Sequence, residues 1–338
     1  MSYDQLILTF GLLMGIAILL YVILDGYDLG VGMLMPAADA QEQEIMVASI
    51  GPFWDANETW LVLGIGILLV AFPKAHGIVL TALYLPVTAM LIGLMLRGVA
   101  FEFRIKAEGW HRELWNWLFW FGSLMASLAQ GLMLGRYITS FEAGVIYWMF
   151  GLLVGVSLCG GYILLGATWL VMRTEGVLQR KAMIWARWGL LWVLIGIALV
   201  SIATPMLSHT VSLKWFSFPE TLPLVIFPIA ILYAGWCVLM GTGRLLGGER
   251  RTRSRGKARD WMPFASAVII FLLAFCGLAY SVFPYIIIDQ LTIWESAAHI
   301  SALEIVLVGV VIVLPFLLAY TIFAYRVFRG KVSKGLYE

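Results

Sequence analysis

The sequence predicts an all-α, polytopic membrane protein with nine transmembrane helices, and three observations carry that expectation. Of 338 residues, 62% are hydrophobic and only 12% are charged, about half the charged fraction of a soluble domain. The mean hydropathy is +0.93, which excludes a soluble enzyme. The apolar residues also gather into runs that match the roughly 20 residues a helix needs to cross a bilayer.

Bounded by Gly, Pro and charge, those runs lie at 6–28, 55–72, 77–100, 114–135, 143–171, 184–205, 221–246, 262–288 and 302–328. The first, from Leu6 to Leu24, lacks a basic leader and is long enough to span, so it reads as a retained helix rather than a cleaved signal peptide. The connections are too short for a soluble domain. Residues 1–338 therefore read as a single integral membrane domain.

Nine spans place the two termini on opposite sides. One side then collects 19 of the 22 Lys and Arg residues, and the other receives only Lys74, Arg136 and Lys214. By the positive-inside rule the N-terminus faces outward and the C-terminus the cytoplasm. The run Arg250-Arg251-Thr252-Arg253-Ser254-Arg255 reads as a topogenic, lipid-facing loop on the basic side. A net charge of +2 gives no reason to expect nucleic-acid binding.

Cys159, Cys237 and Cys276 sit in apolar runs without CxxC or CxxCH spacing, so neither a disulfide framework nor covalent haem attachment is expected. Haem held inside a bilayer needs an axial His or Met from a helix. His76, His111, His209 and His299 all fall in or beside loops, and the 15 Met residues are dispersed. No haem or metal ligand is expected from this chain. The Trp and Tyr residues gather at span ends, as an interfacial aromatic belt does.

Ionisable groups at membrane depth cost several kcal/mol unless paired or wet. Two clusters stand out. Asp25 and Asp28 lie in Leu24-Asp25-Gly26-Tyr27-Asp28-Leu29-Gly30-Val31-Gly32 at the cytoplasmic end of the first span. Asp55 and Glu58 lie in Gly51-Pro52-Phe53-Trp54-Asp55-Ala56-Asn57-Glu58-Thr59-Trp60, opening the second span from the same side. Each pair is spaced i,i+3, which puts both acids on one helix face. A short connection brings the two helix ends together, so four acids and Asn57 can converge and take up protons.

Simpler roles stand beside that one. Asp55 and Glu58 can stabilise a positive helix N-terminus, and Asp25 and Asp28 can shape a local turn with the adjacent glycines. Arg97 ends the third span deep enough to pair with an acid of the first two, while Glu102 and Arg104 read as an interfacial ion pair. On the outer side Glu295, after Trp294, reads as a helix cap. The residues also admit a proton-coupled secondary transporter. Transporter sites, however, lie near the midplane at broken helices, whereas these acids lie at one end.

The stretch Asp25 to Gly32, the segment Gly51 to Leu61, the segment Arg97 to Arg104 and Trp294-Glu295, taken in that order, resemble subunit II of the cytochrome bd-type quinol oxidases. The modest length is similar to the cyanide-insensitive branch of that family. The resemblance implies two four-helix bundles plus one peripheral helix. It implies a haem-bearing partner, subunit I, that holds two b-type haems and one d-type haem, oxidises quinol near the outer surface and reduces oxygen to water.

This chain would then bind no haem and would stabilise the complex, with a structural quinone or lipid and small single-span accessory subunits left open. The resemblance assigns proton delivery from the cytoplasm to Asp25 and Asp55, with Asp28, Trp54 and Glu58 as neighbours and Asn57 and Arg97 in support. Charge logic agrees with it. Taking protons from inside while quinol releases its own outside builds a membrane potential, at about 2.3 kcal/mol per charge per 100 mV.

Overall fold

The computed structural model describes residues 1–219, 221–246 and 260–332. Among them, nine helices are long and apolar enough to cross a membrane. The arginine run at 250–255 lies outside the described residues.

Helix α1 (Tyr3–Leu34) opens on a capping box: Ser2 Oγ accepts from the Gln5 amide, and the Gln5 side chain accepts from Ser2 N–H. It runs past the expected end at residue 28, because none of the glycines there breaks it. Pro36 then shapes the 3-10 turn Met35–Ala37. Asp25 and Asp28 accordingly sit inside the helix, not at its end.

The connection that follows was expected to be a plain short loop and instead holds α2 (Ala40–Ile50), capped by a box between Asp39 and Glu42. Gly51-Pro52 leads into α3 (Trp54–Ala71), and Pro73 opens α4 (Pro73–Arg104). The chain continues through α5 (Gly109–Ile138), α6 (Val145–Arg173), α7 (Gly176–Leu207), the short α8 (His209–Phe216), α9 (Thr221–Leu246) and α10 (Met262–Val282).

The eighth span was expected to reach residue 288 but stops at Val282. Phe283 precedes Pro284, and a residue before proline is driven out of the helical region. The remaining residues form a small antiparallel hairpin of β1 (Tyr285–Ile287) and β2 (Leu291–Thr292), with Tyr285 opposite Thr292. The one-turn α11 (Ile293–Ser296) and the long α12 (Ile300–Val327) complete the described fold.

Two successive groups of four spans, α1–α3–α4–α5 and α6–α7–α9–α10, pack together along α1, α5 and α6. In its most apolar stretch α6 is 61% buried, which makes it the central helix, whereas α12 is 6% buried there and lies at the periphery against α3 and α1. This is the expected pair of four-helix bundles with one peripheral helix. The main core, including Tyr27, Leu29, Val31, Tyr162, Leu164 and Trp169, fills the α1–α6 contact. A second core around Phe10, Ile67, Phe72, Ile287 and Leu303 closes the opposite end.

Alpha-helical backbones approach this closely only where side chains are absent. A Cβ on Gly30 would lie 1.8 Å from the Tyr162 carbonyl oxygen, and one on Gly166 would lie 2.4 Å from the Val31 nitrogen. Because the obstacle is backbone, the helices must separate to admit a methyl group, an overpacking cost of about 1–3 kcal/mol or more. Gly30→Ala is therefore expected to lower the melting temperature and folded yield in detergent. Gly66→Ala and Gly309→Ala, where the new methyl meets open space, should leave both unchanged. An undisturbed melt for Gly30→Ala would contradict the close crossing.

Candidate functional site

The polar centre forms where α1 nears its end, α3 begins and α4 nears its own end. Arg97 of α4 reaches inward between the other two helices. Its Nη1 lies 2.6 Å from Asp25 Oδ1, and both side chains are buried, at 2% and 1% exposure. Its Nη2 pairs with Glu58 Oε1 of α3, which keeps 29% exposure and so links the buried pair to the surface. On the Trp54 side, Ile50, Trp54, Phe101 and Phe119 wall Arg97 in a crevice with no room for water.

Asp28, one turn beyond Asp25, is held by Asn57. The Asn57 amide nitrogen lies 2.8 Å from Asp28 Oδ2, 2.9 Å from the Tyr27 hydroxyl and 3.2 Å from the Leu24 carbonyl. Tyr325 of the peripheral α12 donates to Asn57 Oδ1 at 3.2 Å and sits 2.6 Å from the Tyr27 hydroxyl. One oxygen of Asp28 and both of Asp25 are buried without a donor in hydrogen-bond geometry among the described residues. A group of three carboxyls around one guanidinium holds more acid than counter-charge.

The structure thus brings together Asp25, Asp28, Glu58, Asn57 and Arg97 as the sequence led us to expect. Trp54 packs on Phe101 at their edge, with ring centroids 5.2 Å apart. Asp55 stands apart: it is exposed in the first turn of α3 and makes no hydrogen bond or ion pair with the described residues. Sharing a face with Glu58 did not bring it to the same depth.

Three features were missed in the sequence. Tyr27 and Tyr325 join the Asn57 hydrogen bonds, a contact between the first and last helices that no spacing reveals. Gln130, in the C-terminal third of α5, lies between Tyr21 and Tyr162; extending the rule on expensive residues from acids to amides would have found it. Helix α2 clasps this end of the bundle, with Glu42 2.6 Å from Lys181 of α7 and Glu44 2.6 Å from Arg104 of α4. Glu44 also pairs with Arg112, so Arg104 binds α2 and not the neighbouring Glu102.

At the opposite end, Glu295 was expected to cap the ninth span but instead completes the capping box of the one-turn α11, whose N-cap is Thr292, while His299 caps α12. Thr292 gives Glu295 a hydroxyl hydrogen bond at 2.7 Å and an amide hydrogen bond at 2.8 Å, which hold its carboxyl below the usual carboxylate range. His76 opens α4, His111 lies in the first turn of α5, His209 begins α8 and His299 caps α12, all at helix ends. This placement does not fit an axial haem ligand inside the bilayer. Among the described residues no group of three or more His, Cys, Asp or Glu comes together to hold a metal ion.

Fold and site define a class: a helical, multi-pass membrane protein with a buried carboxylate–guanidinium cluster at one end. The family model for cytochrome bd terminal oxidase subunit II matches residues 6–328, and the chain belongs to that family. The nine apolar helices among its described residues and this membership make it a multi-pass protein of the bacterial inner membrane.

Among relatives, it is 32% identical over 219 residues to the cytochrome bd-I ubiquinol oxidase subunit 2 of Escherichia coli (strain K12), covering 60% of this chain and 58% of that one. It is 33% identical over 179 residues to the cytochrome bd ubiquinol oxidase subunit 2 of Bacillus subtilis (strain 168), covering 48% and 52%. The matched stretch thus spans just over half the length of these curated relatives. The solved structure of bd oxidase from Geobacillus thermodenitrificans aligns with a TM-score of 0.62 over 97% of this chain and 100% of that one. At 9% identity that likeness concerns the fold alone.

Removing the guanidinium would strand a buried carboxylate, a loss of about 3–5 kcal/mol. Arg97→Leu is expected to lower thermal stability by that order, and adding Asp25→Asn should restore part of it. Glu58→Gln, at the wet end of the pair, should cost no more than about 1 kcal/mol. A melt of Arg97→Leu indistinguishable from the parent would contradict the ion pair.

Proposed function

We propose that this chain is the subunit without haem in a bd-type terminal oxidase, a quinol:oxygen oxidoreductase of the respiratory chain. Its partner is the haem-bearing subunit I, which carries two b-type haems and one d-type haem. The oxygen chemistry belongs to that partner. This chain stabilises the complex and supplies a proton-uptake path from the cytoplasm.

The observation that supports the path is the graded exposure of the acids. Asp55 is exposed, Glu58 is part-buried, and Asp25 and Asp28 are fully buried, so the carboxyls run from solvent into the bundle with Arg97 as the shared counter-charge. The same end carries the basic residues Arg104, Arg112, Lys181 and Lys331, each ion-paired to an acid of this chain. Their position accords with a cytoplasmic location by the positive-inside rule. The transporter alternative has no counterpart in the family or in the relatives above, all named as oxidase subunits.

In the assembled oxidase, Asp25→Asn is expected to lower quinol-oxidase turnover by about 10²-fold, the low end of what a positioned proton-transfer group contributes. Asp55→Asn should give a smaller fall, and both variants should keep the full haem spectrum. Normal turnover in both would remove the proton path, and a loss of haem in proportion to activity would point to a scaffold alone. For orientation, green fluorescent protein fused to the C-terminus should fluoresce. An active alkaline phosphatase at the same position would place that end outside.

A further inference from the structure

The hydrogen bonds around Asn57 close into a triangle whose direction can be read bond by bond. Tyr325 has one hydroxyl hydrogen and gives it to Asn57 Oδ1 at 3.2 Å. The Tyr27 and Tyr325 oxygens lie 2.6 Å apart, so the hydrogen between them comes from Tyr27. With its own hydrogen spent, the Tyr27 oxygen is left as an acceptor, and Asn57 Nδ2 donates to it at 2.9 Å. The circuit runs from Asn57 to Tyr27, from Tyr27 to Tyr325 and back to Asn57.

The second Asn57 N–H lies outside the triangle. It is given to Asp28 Oδ2 at 2.8 Å, with the Leu24 carbonyl a longer acceptor at 3.2 Å. Asp28, Asn57 and Tyr27 are all 0% exposed. Asp28 Oδ1 has no hydrogen-bond partner among the described residues, so the two oxygens of this acid are not equivalent.

Tyr325 is what keeps the amide turned this way. Its hydroxyl is the donor that reaches Asn57 Oδ1. Without it that oxygen would be buried and unsatisfied, at a cost of about 1–3 kcal/mol. Turning the amide end for end would relieve the cost, because Oδ1 could then accept from Tyr27, but it would set a carbonyl against Asp28 and forfeit the bond to the acid. We propose that Tyr325 and Tyr27 are positioning residues that hold the Asn57 N–H toward Asp28. The hold fixes Asp28 Oδ2 as an acceptor and leaves Oδ1 as the oxygen that takes up and gives back the proton. The peripheral helix α12 thereby completes a site built on α1 and α3. This inference rests on the proton-uptake reading of Asp28.

The test uses the assembled oxidase and reads turnover, haem content and melting temperature. Tyr325→Phe deletes one oxygen and keeps the aromatic ring against Phe53, with centroids 4.6 Å apart. It is expected to lower kcat by about tenfold, as loss of one hydrogen bond to a charged group would, with KM for quinol and haem content unchanged. Tyr27→Phe, which keeps its stack on Trp169, should do the same. The double variant should lose no more than the worse single one, because either change opens the triangle. Asp28→Asn should lower kcat at least as far, and adding Tyr325→Phe to it should change kcat no further. Leu303→Ala weakens the packing of α12 at its other end, where Leu303 is 0% exposed, and should lower the melting temperature at the parent kcat.

A normal kcat in both tyrosine variants, a further fall when Tyr325→Phe is added to Asp28→Asn, an equal fall in Leu303→Ala, or a kcat that falls only with haem content overturns the proposal. Failure of the uptake reading looks different. In that case Asp28→Asn turns over at the parent rate, while melting losses of Tyr325→Phe and Asp28→Asn that fail to add still uphold the hold on Asp28 through Asn57.

Discussion

One guanidinium organises this protein. Arg97 is buried on α4 and serves Asp25 of α1 and Glu58 of α3 at once, so three helices share a single counter-charge inside an apolar bundle. A buried pair of this kind is weak evidence for added stability, because desolvation offsets most of the Coulomb gain. What it does enforce is position. None of the three helices can slide or rotate without leaving a charge alone at membrane depth, where the penalty is largest.

The surrounding structure is built to keep that position. The glycines of α1 and α6 let two backbones touch, which fixes the height of Asp25 and Asp28 relative to the central helix. Helix α2 lies across the same end and is tied by Glu42 and Glu44 to α7, α4 and α5. Peripheral α12, almost bare of buried apolar surface, is pinned by Tyr325 to Asn57 and Tyr27. Beyond its end, Lys331 pairs with Asp260, and the Val332 amide bonds to the Arg173 carbonyl. Polar contacts at one end thus hold what apolar packing alone would leave loose.

Much of this was legible in the sequence. Span number and order follow from hydropathy, which the bilayer imposes directly, and Arg97 could be paired with the acids because depth can be estimated from distance to a span end. Boundaries set by local chemistry were less legible: the glycines suggested that α1 would stop early, whereas Pro284 is what stopped α10. Helix α2 was overlooked although Asp39 and Glu42 spell a capping box, because eleven amphipathic residues fall below the length of a crossing. Contacts between distant helices were not legible at all. Gln130 meets Tyr21 and Tyr162 only once the bundle is assembled, and the outward position of Asp55 depends on how α3 is turned against α1.

The central claim is that protons enter at the end of the bundle where Arg97 and its acids lie. The most direct measurement is the side of proton consumption. The assembled oxidase would be reconstituted in vesicles in one orientation, established by protease access to the C-terminal segment, with a pH-sensitive dye confined to either compartment during an oxygen pulse. The account predicts alkalinisation of the compartment that holds the C-terminal segment. Alkalinisation confined to the other compartment would contradict it.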